Sequence, residues 1–478
     1  MRTALKLKLA SLVLFASVAN VDAAEWLILQ GMQPDNVAPY GVKVPYRSKK
    51  PKVWGFIQAN YKKDYGSIQK TPTGINQTPF SLLNPDLKGQ QGISVFRARI
   101  AMRGMADNDN LVNYFFMTEF GNNGINNLGG HREVATYFSD ASITLKHIKG
   151  AKIRAGMFKT PSSEEGLAAV FVAPYIEFTT MTFQQMLERQ ITHVGKAQGK
   201  NAGTTPATKK AGAQAAGGAS SIHYTSTSLE NPIAAFRDTG VQVFDTFKFP
   251  NKWQASYAYM YGNGAGISEN SSSKNETHYG YLSVEKLFKH AGRGYYTNSF
   301  KMFAWANKGK RLLLSDTDND PSTAVAAVNA NRTRYGLGFT YHNKGLRFEA
   351  EYMIAKGMIY TGAKDKNSDP SLETWQFQYA TGDENKADGG YVNLQYEILP
   401  RKFEVFGRYD YMNRLTNDVK GERDFTTLTL GWSYRFKGAT RLDFNYLIRD
   451  AKAPGNANAQ KVLDNMGNRL ALQLTAGF

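Results

Sequence analysis

The chain has 478 residues, with 58 Lys and Arg against 40 Asp and Glu, which gives a formal net charge of +18, and it has no cysteine. The lack of cysteine excludes a disulfide scaffold, a Cys-ligated metal centre and a cysteine nucleophile. No apolar run of about 18 residues follows the N-terminal region, which excludes a helical membrane protein. Aromatic residues make up 13% of the chain and glycine contributes 44 residues, a composition that suits an all-β protein and includes membrane barrels.

The N-terminus has the pattern of a secretory signal peptide. A basic region at 2–8 precedes the apolar stretch 9–19, which is too short to span a bilayer, and small residues around Ala23 supply a cleavage site. The sequence therefore predicts an exported protein with three segments: a signal peptide over 1–23, a periplasmic N-terminal segment over 24–51 and a barrel over 52–478.

Segments in which apolar and polar residues alternate recur along the rest of the chain. Such alternation is typical of strands with one apolar face, and a tilted membrane strand needs roughly 9–11 residues. Sixteen strands are predicted, over 53–61, 93–104, 111–120, 136–147, 151–159, 238–249, 252–261, 277–287, 298–308, 332–342, 345–355, 389–398, 402–412, 424–436, 440–449 and 468–478.

The connections between these strands alternate in length. Those after odd-numbered strands have 11 to 78 residues, and those after even-numbered strands have 2 to 10. Outer-membrane barrels have long extracellular loops and short periplasmic turns, whereas a soluble sandwich has no reason for this pattern. The sequence predicts an all-β fold, a transmembrane antiparallel β-barrel of 16 strands in the bacterial outer membrane, with both termini periplasmic. Residues 374–381 also alternate, which leaves a count of 18 strands open.

The last strand carries a separate signal. Alternation continues through 468–478 and ends in the aromatic residue Phe478. This pattern resembles the final strand of bacterial outer-membrane barrels, whose terminal aromatic residue is read by the insertion machinery.

The third long connection, 160–237, is the longest, and loops of more than about 12–15 residues are usually functional or disordered. We expect residues 161–194 of this third extracellular loop to fold into the lumen and narrow it. Residues 195–221 are a low-complexity Gly, Ala and Lys insert that cannot bury a core, so we expect them to stay outside.

Several short stretches resemble the phosphate-selective porin O and P family. They are WGFIQANY at 54–61, FRARIAMRG at 96–104, DA at 140–141, RAGMFKTP at 154–161 followed by Glu164 and Glu165, and RYD at 408–410. The resemblance is patchy but runs through most of the barrel, and it implies a sixteen-stranded, usually trimeric channel with anion preference. The solute stays open, with phosphate and other oxyanions as candidates. The phosphate-coordinating side chains of the family lie outside these stretches, so none is assigned.

Signals for enzymatic chemistry are poor. The seven histidines lack metal-ligand spacing, and no HExxH, GxSxG or phosphate-loop pattern occurs. The sequence predicts no enzyme activity, no catalytic residue, no cofactor, no metal and no nucleic-acid partner. The glycine-rich residues 262–266 are interpreted as a flexible loop rather than a nucleotide site.

The strand faces opposite the apolar ones carry more basic than acidic residues. Nine basic side chains are predicted to line the pore and set its selectivity: Arg97, Arg99, Arg103, Lys146, Lys152, Arg154, Arg347, Arg408 and Arg441. Rings of Arg or Lys favour anions in a pore. Ion pairs with Glu349, Glu351 or Glu404 on other strands are the structural alternative.

The densest part of this set lies on the predicted strand 93–104. Alternation there predicts that Phe96 and Ile100 face lipid, so that Arg97, Arg99 and Arg103 face the lumen. An Arg at the lipid-facing midplane would cost about 2–4 kcal/mol.

The sequence thus predicts a channel for passive diffusion of small anionic solutes. Outer-membrane lipid and lipopolysaccharide are the expected surroundings, and a homotrimer is the expected assembly. The alternative is a barrel that serves as a scaffold or sheath for a periplasmic or surface partner.

Overall fold

Pairing of the first barrel strand with the last closes a barrel of 16 antiparallel strands. The strands are β1 Lys52–Asp64, β2 Gln91–Met105, β3 Val112–Glu119, β4 Tyr137–Ile148, β5 Ala151–Lys159, β6 Arg237–Phe249, β7 Trp253–Gly262, β8 Thr277–Leu287, β9 Ser299–Ser315, β10 Ala326–Asn343, β11 Leu346–Gly357, β12 Lys386–Leu399, β13 Phe403–Arg414, β14 Arg423–Arg435, β15 Arg441–Lys452 and β16 Arg469–Gly477. Among the described residues, two short α-helices accompany them, α1 at Glu164–Leu167 and α2 at Ala457–Leu463.

The computed structural model describes part of the chain. The described residues are 51–66, 69–70, 76–77, 91–107, 109, 111–123, 137–187, 221–224, 235–264, 266, 276–289, 294–315, 326–364, 376–380, 382–436, 439–464 and 466–478. The predicted signal peptide over 1–23, the segment 24–50 and the low-complexity insert up to residue 220 lie outside these ranges.

All 16 predicted segments coincide with barrel strands, so the predicted strand count is confirmed. The largest boundary error is at the β9–β10 hairpin, where the strands extend to Ser315 and back from Ala326. The hairpin is longer than predicted because pairing continues without a break from Ser299↔His342 to Ser315↔Ala326.

The eighteen-strand count is wrong. Gln376–Ala380 pairs with Ile359–Lys364 and with Ser221–Tyr224 in a separate three-stranded sheet. These residues alternate because they form a strand, but their partners are other loop segments. A two-stranded ladder of Gln69–Lys70 with Asn76–Gln77 is a second small loop element.

The barrel has an apolar exterior and a polar interior. Leu282 and Leu337, for example, are 64% and 63% exposed, whereas Arg154, Arg334 and Arg408 are among the largest fully buried side chains. This is the reverse of the usual arrangement in a water-soluble protein. Within the ranges that the structure describes, no helix is long and apolar enough to cross a bilayer.

The predicted outward position of Phe96 is wrong. The β1–β2 register shifts where Gln58 faces Arg97 and Ala59 faces Val95, so Phe96 is an extra residue that turns inward. It is 1% exposed, and the Lys62 Nζ lies 4.3 Å from its ring centroid. The bulge thereby places Phe96 and Arg97 inside together.

Three of the short turns place a basic residue in left-handed backbone conformation. Lys252 has φ 62°, Lys344 has φ 49° and Arg401 has φ 56°. Non-glycine residues adopt this conformation at a cost of roughly 1–2 kcal/mol, and Asn or Gly is the usual choice. Three short turns therefore carry a cation at a position with a local backbone cost.

The closing seam depends on the C-terminal residue. Phe478 exchanges two backbone hydrogen bonds with Gly55, N to O 2.9 and 3.0 Å. A Cβ at position 55 would lie 2.5 Å from the Arg99 backbone oxygen and from the Phe478 ring. Glycine is therefore needed for the terminal aromatic ring to cover β1.

We predict that Gly55→Leu weakens closure by about 1–3 kcal/mol, as expected for overpacking. The measurement is heat resistance of the refolded barrel on a denaturing gel, together with urea unfolding. Gly280→Leu is the matched control, because a Cβ at this strand glycine has only one neighbour within 4 Å, at 3.9 Å. Equal stability of the two variants would contradict the role assigned to Gly55.

Candidate channel constriction

The third long loop begins with a well-capped turn of helix. The Ser163 side chain accepts a hydrogen bond from Gly166 N, 3.3 Å, at the start of α1. At its end, the Lys159 Nζ donates to the Gly166 and Ala168 carbonyls at 2.8 and 2.9 Å. Both ends of this short helix are thus satisfied, which fixes the direction in which the loop leaves β5.

A carboxylate on the barrel wall accepts hydrogen bonds from the start of α1. Glu351 on β11 accepts hydrogen bonds from the Glu164 backbone N, 3.2 Å, and from the Ser163 hydroxyl, 3.3 Å. Trp305 Nε1 and the Tyr391 hydroxyl donate to the same carboxylate at 2.7 and 2.9 Å. Two wall residues and the loop backbone therefore share one buried acid.

Three loop carboxylates attach the segment to the walls of the barrel. Glu164 forms an ion pair with Lys301 on β9. Glu165 approaches Arg408 on β13 at 3.3 Å. Glu177 lies 2.9 Å from Lys62 on β1 and 2.8 Å from Arg469 on β16.

Backbone groups of the loop are held as well. Arg441 on β15 donates to the Val172 and Ala173 carbonyls at 2.6 and 2.7 Å. Asn445 donates to the Pro174 carbonyl, 3.1 Å, and accepts from Ile176 N, 3.1 Å. This segment has no regular secondary structure, so lumen side chains take the place of strand partners.

An apolar cluster fills one side of the lumen beneath the loop. Met181 and Leu187 have no exposed surface and pack with wall residues such as Met353 and Tyr391. Further on, Gln185 exchanges hydrogen bonds with the Tyr360 backbone, 3.0 and 3.1 Å. The predicted entry of the third loop into the lumen is therefore confirmed for residues 161–187, while 188–194 lie outside the described residues.

Burial and ion pairing act against each other on the loop acids. Burial raises the pKa of Glu165, while Arg408 and the hydrogen bonds from Thr179 lower it less. For Glu177, burial would raise the pKa, but Arg469 and Lys62 together bring it well below the ordinary value of 4.5. The stability contributed by ionised Glu177 is thus fully present above its ordinary pKa of 4.5 with respect to this carboxylate, and it is lost as the pH falls through the lower, folded-state pKa.

A cavity of about 60 Å³ lies between the loop and the walls. The Arg97 side chain contributes to its lining from β2, and Tyr391, Asn393 and Gln395 contribute from β12. Four carboxylates also line it: Glu164, Glu165, Glu177 and Glu349. Each of them makes an ion pair with a basic wall residue.

Five of the nine predicted pore residues make ion pairs. The pairs are Arg99–Glu119, Lys152–Asp245, Arg347–Glu349, Arg408–Glu165 with Asp410, and Arg441–Asp443. Of the three acids that the sequence offers as ion-pair partners, Glu349, Glu351 and Glu404, only Glu349 pairs with one of these five residues. Arg408 and Arg441 contact the third loop. Arg99 and Lys152 instead pair with acids on the barrel wall.

The other four predicted residues are buried or half-buried, and three of them lie next to aromatic rings or neutral side chains. The Arg103 guanidinium lies 5.6 Å from the Trp54 ring centroid, and Arg154 lies 4.5 Å from that of Phe244. Lys146 is buried on β4. Arg97 donates to Gln58 Oε1, 2.9 Å, and makes no ion pair within 4 Å with any residue that the structure describes.

The sequence did not identify the loop acids as attachment points. Glu164 and Glu165 follow the GMFKTP stretch, but nothing in the pattern specifies Lys301 and Arg408 as partners. Lys62 was missed because the predicted strand ended at residue 61, whereas β1 continues to Asp64.

In the glycine-rich stretch that is predicted to be a flexible loop, Gly264 and Gly266 make backbone hydrogen bonds to one carboxylate. The Gly264 and Gly266 backbone N–H groups donate to the Asp238 carboxylate at 2.7 and 3.2 Å, and the Tyr279 hydroxyl donates to it at 2.8 Å.

Within the described ranges, no group of three or more His, Asp and Glu side chains is arranged to hold a metal ion.

Comparisons with known proteins give remote similarities only. No family model matches the chain, and no curated protein matches it. Among solved structures, the outer membrane protein OmpT of Vibrio cholerae in its trimer form has 12% identity and a TM-score of 0.46, covering 90% of this chain and 99% of its own. OmpF of Salmonella typhi has 11% identity and a TM-score of 0.46, with 90% and 98% covered.

The outer membrane channel DcaP of Acinetobacter baumannii has 11% identity and a TM-score of 0.43, with 91% of this chain and 99% of its own covered. At these identities and TM-scores, the similarities carry no argument about solute, selectivity or subunit number. The resemblance to the phosphate-selective porin O and P family stays a prediction.

We predict that Glu177→Gln loosens the loop, because Lys62 and Arg469 lose a buried partner. Removing one member of a buried ion pair costs about 3 kcal/mol. The expected result is faster hydrogen exchange over 161–187 and a lower free energy of unfolding in urea. Glu384→Gln removes an exposed carboxylate and is the control; the same exchange rates in both variants would argue against Glu177 as an attachment point.

Proposed function

We propose that this chain is a porin-type channel of the bacterial outer membrane that passes small solutes by passive diffusion and prefers anions. The observation that carries the proposal is the closed barrel with apolar side chains outside and charged side chains inside. A bilayer suits the exterior, since closure leaves no unpaired strand edge in lipid. The alternation of long and short connections then favours short turns in the periplasm.

The loop supports small solutes over the sheath alternative. Residues 161–187 reach from β5 to the walls formed by β9, β11, β13, β15 and β16. A segment fixed across the lumen leaves little space for a partner protein chain. A channel of this kind carries out no reaction and needs no cofactor.

Arg97 supports the preference for anions. Its side chain lines the cavity, whose carboxylates are all paired with other cations. A guanidinium that makes no ion pair with the described residues of a low-dielectric channel raises the local concentration of anions. Phosphate and other oxyanions remain candidate solutes, and a homotrimer, contact with lipopolysaccharide and selectivity roles for the other eight basic residues remain predictions.

The test is the reversal potential of the purified protein in a planar bilayer under a potassium chloride gradient. We expect chloride to be preferred over potassium at low salt, with a preference that fades as the Debye length falls below about 10 Å above 0.1 M salt. A cation preference would overturn the anion proposal, and absence of conductance from a folded, inserted barrel would overturn the channel.

We predict that Arg97→Gln reduces the chloride preference severalfold, because it removes the cation of the cavity lining, which makes no ion pair with the described residues. The control is the double variant Arg99→Gln with Glu119→Gln, which removes a cation and its countercharge together and should leave the preference nearly unchanged. If Arg97→Gln keeps the full preference, the selectivity lies elsewhere in the lumen or in the loop.

A further inference from the structure

The end of the barrel that carries the short turns is unusually basic. Five consecutive short turns, from the β4–β5 turn to the β12–β13 turn, contain no Asp or Glu. Six basic side chains on them are exposed and are called the basic rim here: Lys149, Lys252, Lys289, Lys344, Arg401 and Lys402. The β2–β3 turn, with Asp107 and Asp109, is outside this arc.

The opposite end of the barrel has mixed charge. Exposed acidic and basic residues occur there together, in the described parts of the long connections and at the strand ends next to them: Lys356, Asp383, Glu384, Lys420, Asp450, Lys452, Lys461 and Asp464. The asymmetry is therefore a property of one end and does not follow from the net charge of the chain alone.

The turn geometry gives independent support for a role of these charges. Lys252, Lys344 and Arg401 each occupy a left-handed position, where Asn or Gly would be less strained. All three side chains are exposed. Local folding therefore does not explain why a long cationic side chain stands at three separate turns.

Apolar side chains lie directly next to the basic rim on the outer surface. Ile148, Phe249, Trp253 and Tyr396 are between 41% and 55% exposed. Lys286 and Lys402 place Nζ 5.3 and 5.8 Å from the ring centroids of Trp253 and Tyr434. Lysines whose stems cover outward aromatic rings are typical of the boundary between hydrocarbon and headgroups.

We infer that the basic rim binds the phosphate groups of anionic phospholipids in the membrane leaflet next to the short turns. This inference rests on the proposed membrane location of the barrel. Repetition over five turns follows the edge of the apolar surface and matches a layer of headgroups. Lys and Arg near a membrane surface attract anionic headgroups, and the attraction falls off within a Debye length.

The test compares the association of spin-labelled phosphatidylglycerol and phosphatidylcholine with the barrel in phosphatidylcholine bilayers, by electron paramagnetic resonance. The rim variant combines Lys252→Asn, Lys344→Asn and Arg401→Asn, because Asn tolerates the left-handed conformation and the fold is retained. The matched control combines Lys356→Gln, Lys420→Gln and Lys452→Gln, which removes the same charge from exposed positions at the other end.

We expect the unmodified protein to prefer phosphatidylglycerol about threefold or more at low salt. The preference should fall by at least half in the rim variant, persist in the control variant and weaken with added salt. An equal preference in the rim variant and the unmodified protein would overturn the inference. So would a stronger preference for spin-labelled lipid A, the phosphate-bearing anchor of lipopolysaccharide, than for phosphatidylglycerol.

Planar-bilayer conductance of the same preparations separates the two proposals. A conducting barrel without lipid preference refutes the basic rim alone. A lipid-selective barrel that does not conduct refutes the channel alone.

Discussion

Closure of the sheet is the constraint on which the rest of this structure depends. When β1 pairs with β16, every barrel strand has two neighbours, and the backbone hydrogen bonds of the sheet are satisfied without an open edge. The closing contact is local and specific, since the Phe478 ring covers the position where Gly55 has no side chain. Closure then divides each strand into an outer and an inner face, which allows the exterior to be apolar while arginines and carboxylates accumulate inside.

The enclosed charges in turn determine how the third loop can enter. Residues 168–179 have no regular secondary structure, so their polar groups must find partners on the walls. Arg441 and Asn445 donate hydrogen bonds to carbonyl groups of the loop backbone. Arg408, Arg469 and Lys62 form ion pairs with loop carboxylates. Much of the basic excess of the lumen is consequently used for attachment. Arg97 differs from these residues because its partner in the described part of the chain is the neutral Gln58 side chain.

The two ends of the barrel obey different requirements. The turns that contain Lys252, Lys344 and Arg401 reverse the chain within two or three residues, and each places its cation at a left-handed backbone position. The long connections have room for their own elements, such as the three-stranded sheet around Gln376–Ala380 and the helix Ala457–Leu463. The two ends therefore differ both in the length of their connections and in the charge that they expose.

Sequence by itself determined the strand count and the strand order, because period-two alternation and connection length are local properties of the chain. It failed at Phe96, where a single extra residue reverses the alternation, and at Gln376–Ala380, where alternation marks a strand without naming its partner. Only the tertiary structure decided which charges meet, such as Glu177 with Arg469 across 292 residues. Ion pairs in a lumen form between residues that lie at the same level along the barrel axis. That level depends on the shear and closure of the barrel, and no local sequence pattern specifies it.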